Sequence, residues 1–196
     1  MDETSSDICR IDLPSPPHFL CMEGNIGTSR GINIGCGEKY WEGWVNLDIS
    51  KTRPKLDVVA DARVLPFKDE RFDIIISVPV LEHFFLHEAA EMLKEWKRVL
   101  KTGGQFIVEI PCMDKVFGYI AYCIKNKIQL DPKFSYYPIW GIYENQGLKN
   151  ESTSHKWGYT KSDLKNLLNH VGYKDVINRQ ARYGIPMRDM RFEAVK

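Results

Sequence analysis

Two glycines flanking a cysteine, Gly35-Cys36-Gly37, follow the short β-branched run Ile32-Asn33-Ile34. Residues without a Cβ at such a strand end let the backbone approach a ligand. Asp48 lies near the end of a second run, residues 44–49, where a carboxylate can accept hydrogen bonds from both vicinal hydroxyls of a ribose. Asp61 and Ala62 close a third run, Asp-Val-Val-Ala-Asp, and a carboxylate there could accept from an exocyclic amine. Singly, each feature also fits a tight turn or a carboxylate that caps loop amides. Their joint order, one feature per strand end, points to a nucleoside site.

The histidines offer a different chemistry. His83 and His87 are four residues apart, a separation that can place two imidazoles on one helical face as metal ligands. No third ligand stands at a recognisable spacing, so no metal is assigned, and His83 equally suits packing at a helix N-terminus. From Leu130 to Gly158 periodicity disappears while Phe134, Tyr136, Tyr137, Trp140, Tyr143 and Trp157 crowd in. A long irregular segment this rich in aromatics is expected to be functional rather than disordered. It reads as an insertion over the site, at about 130–159, that brings His155 with it; Trp157 and Tyr159 equally suit ordinary packing. Glu109 and Asp114, flanking the end of a later strand, could orient a substrate hydroxyl or amine.

The elements that must position these residues follow from the apolar pattern. Residues 72–78 include Ile74-Ile75-Ile76, apolar on both faces as a central parallel strand should be. A helix is expected over 87–101, from Ala89, Leu93, Trp96 and Leu100, with Gly103 and Gly104 ending it. Residues 105–110 form the next strand, and Val116, Ile120, Ile124 and Ile128 repeat every four residues along a second helix. Thr160-Lys161-Ser162-Asp163 is a capping box for a third, stopped at Gly172. Two last strands, 175–179 and 190–195, should pair as a hairpin. Between the first two strands Glu38 to Gly43 leaves room for at most one helical turn, where a parallel crossover usually needs about a dozen residues or more. That shortness argues against a nicotinamide-dinucleotide fingerprint, which needs a full helix, a third glycine and a later acidic residue.

The chain of 196 residues suffices for one domain with a full core. Its 27 Lys and Arg nearly balance 26 Asp and Glu, so no global field recruits nucleic acid or an anionic membrane. No apolar run approaches membrane-spanning length, and the five cysteines form no C-x-x-C pair. A cytoplasmic protein with reduced thiols, monomeric or homodimeric, is expected. Residues 1–29, with Pro14, Pro16 and Pro17, read as an N-terminal arm ahead of a domain over 30–196.

Together, Asn33-Ile34-Gly35-Cys36-Gly37, Asp48, Asp61-Ala62 with Leu65-Pro66-Phe67, Phe72-Asp73, Leu81-Glu82-His83 and Arg98 to Gly104 resemble the class I S-adenosylmethionine-dependent methyltransferases. The resemblance is closest to a small subgroup with a Gly-Cys-Gly then Gly-Trp-Val-Asn-Leu-Asp opening, and it runs from about Gly31 to the end. It implies an α/β, doubly wound, Rossmann-like sheet of seven strands in the order 3-2-1-4-5-7-6, the last antiparallel, here with a shortened first crossover. It also implies S-adenosylmethionine as cofactor, with Asn33, Gly35, Cys36, Gly37, Asp48, Asp61, Ala62 and Val78 in its site. Gly35 to Gly37 would face the amino-acid end, Asp48 the ribose, and Asp61 with Ala62 the adenine. The expected activity is methyl transfer to oxygen or nitrogen of a small-molecule or glycan acceptor, with His83 and His155 as candidate bases. A non-catalytic S-adenosylmethionine-binding partner of another methyltransferase, or a nucleic-acid or protein methyltransferase, stays open as an alternative.

Overall fold

A computed structural model describes residues 30–52, 55–141 and 154–196. The N-terminal arm and the middle of the aromatic insertion lie outside the described residues. Seven strands form one sheet: β1 (Gly31–Ile34), β2 (Val45–Asp48), β3 (Val58–Val59), β4 (Phe72–Ser77), β5 (Leu100–Pro111), β6 (Lys174–Gln180) and β7 (Asp189–Val195). Their order is β3-β2-β1-β4-β5-β7-β6. All neighbours are parallel except β7, which runs antiparallel to β5 and β6. The expected topology and terminal hairpin are both present. Four helices are described, α1 (Leu86–Val99), α2 (Met113–Asn126), α3 (Tyr136–Trp140) and α4 (Lys161–Val171), and none is long and apolar enough to cross a membrane.

Alternation along the strands divides the core. Ile32, Ile34 and Ile75 join Leu93, Trp96, Leu164 and Leu168 from α1 and α4 in the larger cluster. Ile74, Ile76 and Val78 point to the other face and pack with Ile107, Tyr183, Trp41 and Trp44. Trp96 does more than fill space, because its fully buried indole donates from Nε1 to the Ala62 carbonyl at 2.7 Å and so ties the loop after β3 to α1. Trp96→Ala would open a cavity and leave that carbonyl unpaired. It is expected to lower unfolding stability by about 3–5 kcal/mol, read as a fall in the urea midpoint at unchanged slope. A shift within experimental error would contradict this role.

Two local expectations change. The helix expected to run to Lys101 ends at Val99, and β5 starts at Leu100, already extended and paired with Phe72. Gly103, at φ 75°, therefore lies within the strand rather than capping the helix, next to a register shift between Phe72 and Ile74. Pairing with β4 outcompetes one more helical turn. On α2 only the first residue of the four-residue stripe is buried: Val116 joins Met113 and Cys123 on the inner face, while Ile124 is 69% and Ile128 48% exposed.

The crossover from β1 to β2 contains no helix. Two buried asparagines hold it instead. The Asn46 side chain donates to the carbonyls of Trp41 (2.8 Å) and Trp44 (3.1 Å) and accepts from the Trp41 amide at 2.9 Å. Asn33 donates to Asn46 Oδ1 at 3.2 Å and to the Lys39 carbonyl at 2.8 Å. These side-chain amides satisfy the loop's backbone groups as a helix otherwise would.

Candidate functional site

The glycine turn leaves β1 with Gly35 at φ 68° and Gly37 at φ 55°, a backbone region where a side chain is strained. The Gly35 and Cys36 amides both reach the Leu47 carbonyl, at 2.8 and 3.0 Å, which pins the turn to β2. The two glycines then differ. A Cβ at Gly35 would collide with the Val80 side chain, whereas one at Gly37 would meet no described atom within 4 Å. Gly35 makes room for the protein's own chain, and the open approach for a ligand is over Gly37.

Asp48, buried at the end of β2, accepts from the Gly37 amide through Oδ2 and from the Ser50 amide through Oδ1, each at 2.9 Å. An ionised carboxylate has about four acceptor positions, so lone pairs remain on both oxygens. Asp61 reaches the same sheet edge but is gripped by Arg63, whose Nη2 lies 2.7 Å from Oδ2 and whose Nε lies 3.1 Å from either oxygen. Hydrogen bonding to Arg63 holds its pKa below the usual carboxylate range. Asn33 and Ala62 are both buried, and their side-chain amide and carbonyl serve the loop and Trp96 as described; Cys36 is buried beneath the turn. Val78, at the end of β4, lines a cleft of about 240 Å³ with Pro79, Lys39, Gly184 and Arg188.

Beyond Val80 a single 3-10 turn, Leu81–His83, precedes α1. The last residues of the 130–159 segment return here: the Lys156 and Trp157 amides donate to the Glu82 carbonyl at 2.7 and 3.2 Å, and the Tyr159 carbonyl accepts from the Met113 amide at 2.9 Å. His83 and His155, far apart in sequence, meet edge to face with ring centroids 4.9 Å apart. His83 Nδ1 lies 3.1 Å from the Ser154 carbonyl, and His155 Nδ1 lies 2.8 Å from the Pro138 carbonyl. Both contacts require N–H at Nδ1, which leaves Nε2 with the lone pair of a neutral imidazole. Burial, only partly offset by these hydrogen bonds, lowers both pKa values, that of His155 to about 4.

Between them lies Glu82, 2% exposed, with neither carboxyl oxygen hydrogen-bonded among the described residues. Burial raises its pKa to about 8, partly opposed by its own backbone amide and by Arg188, with Asp189 adding to the rise. At neutral pH Glu82 is a neutral acid and His155 a neutral base, so their 3.9 Å contact is not an ion pair. The sequence offered no sign that Glu82 would be buried. A pH effect follows. From about pH 4.5 to 8 the folded protein keeps a proton that the unfolded chain has lost, so Glu82 lowers stability as pH rises through that window. Glu82→Gln, which cannot ionise, should gain on the wild type between pH 5 and pH 8, by up to a few kcal/mol. Urea midpoints at the two pH values, in metal-free buffer, give the comparison. A difference independent of pH would mean that Glu82 is not kept protonated.

The other anticipated residues are placed differently. His87 stacks on Phe85 at 6.1 Å, on α1, and does not share a helical face with His83. Glu109 is saturated: it accepts from the amides of Arg182, Tyr183 and Gly184, each at 2.8 Å, and from Arg191 Nη1 at 3.0 Å. It anchors the turn between β6 and β7 and has no capacity left to orient a substrate. Asp114 accepts from the Lys161 amide at the start of α4, at 2.9 Å.

A family model described as a methyltransferase domain matches residues 28–108, the segment that carries the glycine turn, Asp48, Asp61 and the Glu82-His83 pair. An uncharacterised protein of Methanocaldococcus jannaschii is 33% identical over 66% of this chain and 69% of its own length. The chain belongs to the class I S-adenosylmethionine-dependent methyltransferase family. A probable tRNA methyltransferase of Mus musculus is 37% identical over 35% of this chain, but the match spans only 16% of the mouse protein. Among solved structures, an S-adenosylmethionine-dependent methyltransferase of Thermotoga maritima superposes with a TM-score of 0.56, covering 85% of this chain and 82% of that one at 20% identity. The cofactor of this methyltransferase domain is S-adenosylmethionine. The residues at this sheet edge fit it: a turn whose Gly37 leaves open space, and a strand-end carboxylate with unused lone pairs.

Proposed function

We propose that the domain catalyses methyl transfer from S-adenosylmethionine to an oxygen or nitrogen of a small-molecule or glycan acceptor. The cofactor supplies a methyl group activated on a sulfonium. Asp48 holds the ribose hydroxyls through its unused lone pairs, the space over Gly37 admits the amino-acid end, and Val78 lines the floor. Ala62, beside an Asp61 already paired with Arg63, would border the adenine. In-line displacement at a sulfonium needs alignment, exclusion of water and, for a hydroxyl or ammonium acceptor, somewhere for its proton to go. The observation that carries this reading is the pair of neutral, half-buried imidazoles, His83 and His155, one 3-10 turn beyond the Val80 that packs on Gly35. Either Nε2 can take the acceptor's proton. Trp140 and Trp157, both substantially exposed at the ends of the described insertion, would wall the acceptor.

Calorimetric titration with S-adenosylhomocysteine and a turnover screen across hydroxylated, amino and carboxylate acceptors test the proposal. Micromolar binding with turnover on one class is expected. Binding with silence across the screen would favour a non-catalytic partner. The mouse relative's name makes tRNA a second candidate acceptor, so bulk tRNA belongs in the same screen.

A further inference from the structure

We propose that Glu82, His83 and His155 form a three-ligand site for a divalent metal ion of the zinc type, with a position left open for an oxygen donor. One ligand atom from each residue lies within 4.8 Å of the other two. Glu82 Oε1 and His155 Nε2 are 3.9 Å apart. Around a tetrahedral zinc with bonds of about 2.0–2.2 Å, ligand atoms stand about 3.3–3.5 Å apart. The set is therefore too wide by at most about 1.5 Å, a gap that side-chain rotation can close.

Two independent features point to an ion. Metal-bound histidines characteristically donate their second ring N–H to a backbone carbonyl or carboxylate, which sets the tautomer and ring orientation. Both histidines already do so, His83 to Ser154 and His155 to Pro138. The second feature is Glu82. A carboxyl buried without partners is costly in either protonation state, since the acid form still carries an unpaired donor and acceptor. Both of its oxygens lack a partner among the described residues, and a cation between the imidazoles would supply one. Two imidazoles with one carboxylate match the donor set of catalytic zinc sites, which hold three protein ligands and one exchangeable position. The buried Tyr159 hydroxyl, also unpartnered among the described residues, lies within electrostatic reach of Glu82 and could bond to whatever occupies that position.

For the chemistry in the open position this inference rests on the proposed methyl transfer, where an acceptor oxygen would bind and become more acidic. Metal on an Nε2 removes that imidazole as a base, so ion and free base are alternative states of one cluster. The metal test itself needs no acceptor. The untagged full chain, dialysed free of metal, is titrated with Co²⁺, reading the visible d–d bands, and with Zn²⁺ in competition. One equivalent is expected, with bands typical of four-coordination. His155→Ala and the nearly isosteric Glu82→Gln should each weaken binding at least ~10–100-fold, the loss that even outer-shell changes produce. His87→Ala, outside the cluster, should bind as the wild type does. Absence of the bands in the wild type, or wild-type affinity in His155→Ala and Glu82→Gln, would overturn the site. S-adenosylhomocysteine titration of the same samples confirms that each variant is folded and reads the methyl-transfer proposal separately: a wild type that takes cobalt but not the cofactor product leaves the metal site standing and removes the other reading.

Discussion

His155→Ala is expected to cut methyl-transfer turnover by ~10²–10⁴-fold, the usual consequence of losing a positioned proton acceptor. Affinity for S-adenosylhomocysteine should stay within a few fold, because the hydrogen bonds and ring contact of His155 are to Pro138, Trp140 and His83 rather than to the glycine turn or Asp48. His83→Ala should fall in the same range, since the two rings pack against each other and each fixes the position of the other. The diagnostic pattern is a loss in kcat and kcat/KM together, which marks an interaction made in the transition state. Trp140→Ala and Trp157→Ala should instead raise the acceptor KM. If both histidine variants turned over at the wild-type rate, proximity alone would have to carry the reaction. Glu109 offers no alternative base, because three amides and Arg191 occupy it.

The second large effect is expected at Asp48. Asp48→Ala removes the acceptor of the Gly37 and Ser50 amides and, by the proposed role, two hydrogen bonds to the ribose. Hydrogen bonds to a charged group contribute about 1.5–3 kcal/mol each, so binding of S-adenosylhomocysteine should weaken by ~10²-fold or more. Undiminished binding would remove Asp48 from the cofactor site. The glycines sharpen this test. Gly37→Ala places a methyl in space open for the ligand, so its main effect should be on affinity, beyond the strain that its positive φ imposes. Gly35→Ala drives its methyl into Val80 and should chiefly lower the melting temperature. Equal effects of the two substitutions on both properties would mean that the turn acts as a unit.

Much of this arrangement is determined within short stretches of chain. The glycine turn after a β-branched run, the carboxylates closing the next two strands, and the Thr160–Asp163 capping box with its Gly172 stop are local. Their conformations follow from φ preferences, side-chain hydrogen bonds a few residues away, and apolar periodicity. They appear where the residues predict them. The strand order agrees with the family pattern that these motifs carry.

The rest depended on which distant segments meet. Helix α1 ends early because Leu100 gains a pairing partner in β4, a competitor invisible in its own helical periodicity. Asn33 and Asn46 replace a helix in the first crossover only once β1 and β2 lie side by side. Nothing in the sequence marks Glu82 as buried or pairs His83 with His155; both follow only when the returning segment from Ser154 to Tyr159 packs on their turn. That burial turns a carboxyl into a neutral acid and brings a second imidazole to the first. Residue types and spacing determined the strand ends proposed to hold the cofactor; the Glu82, His83 and His155 cluster was decided by long-range packing, because desolvation and juxtaposition exist only in the folded chain.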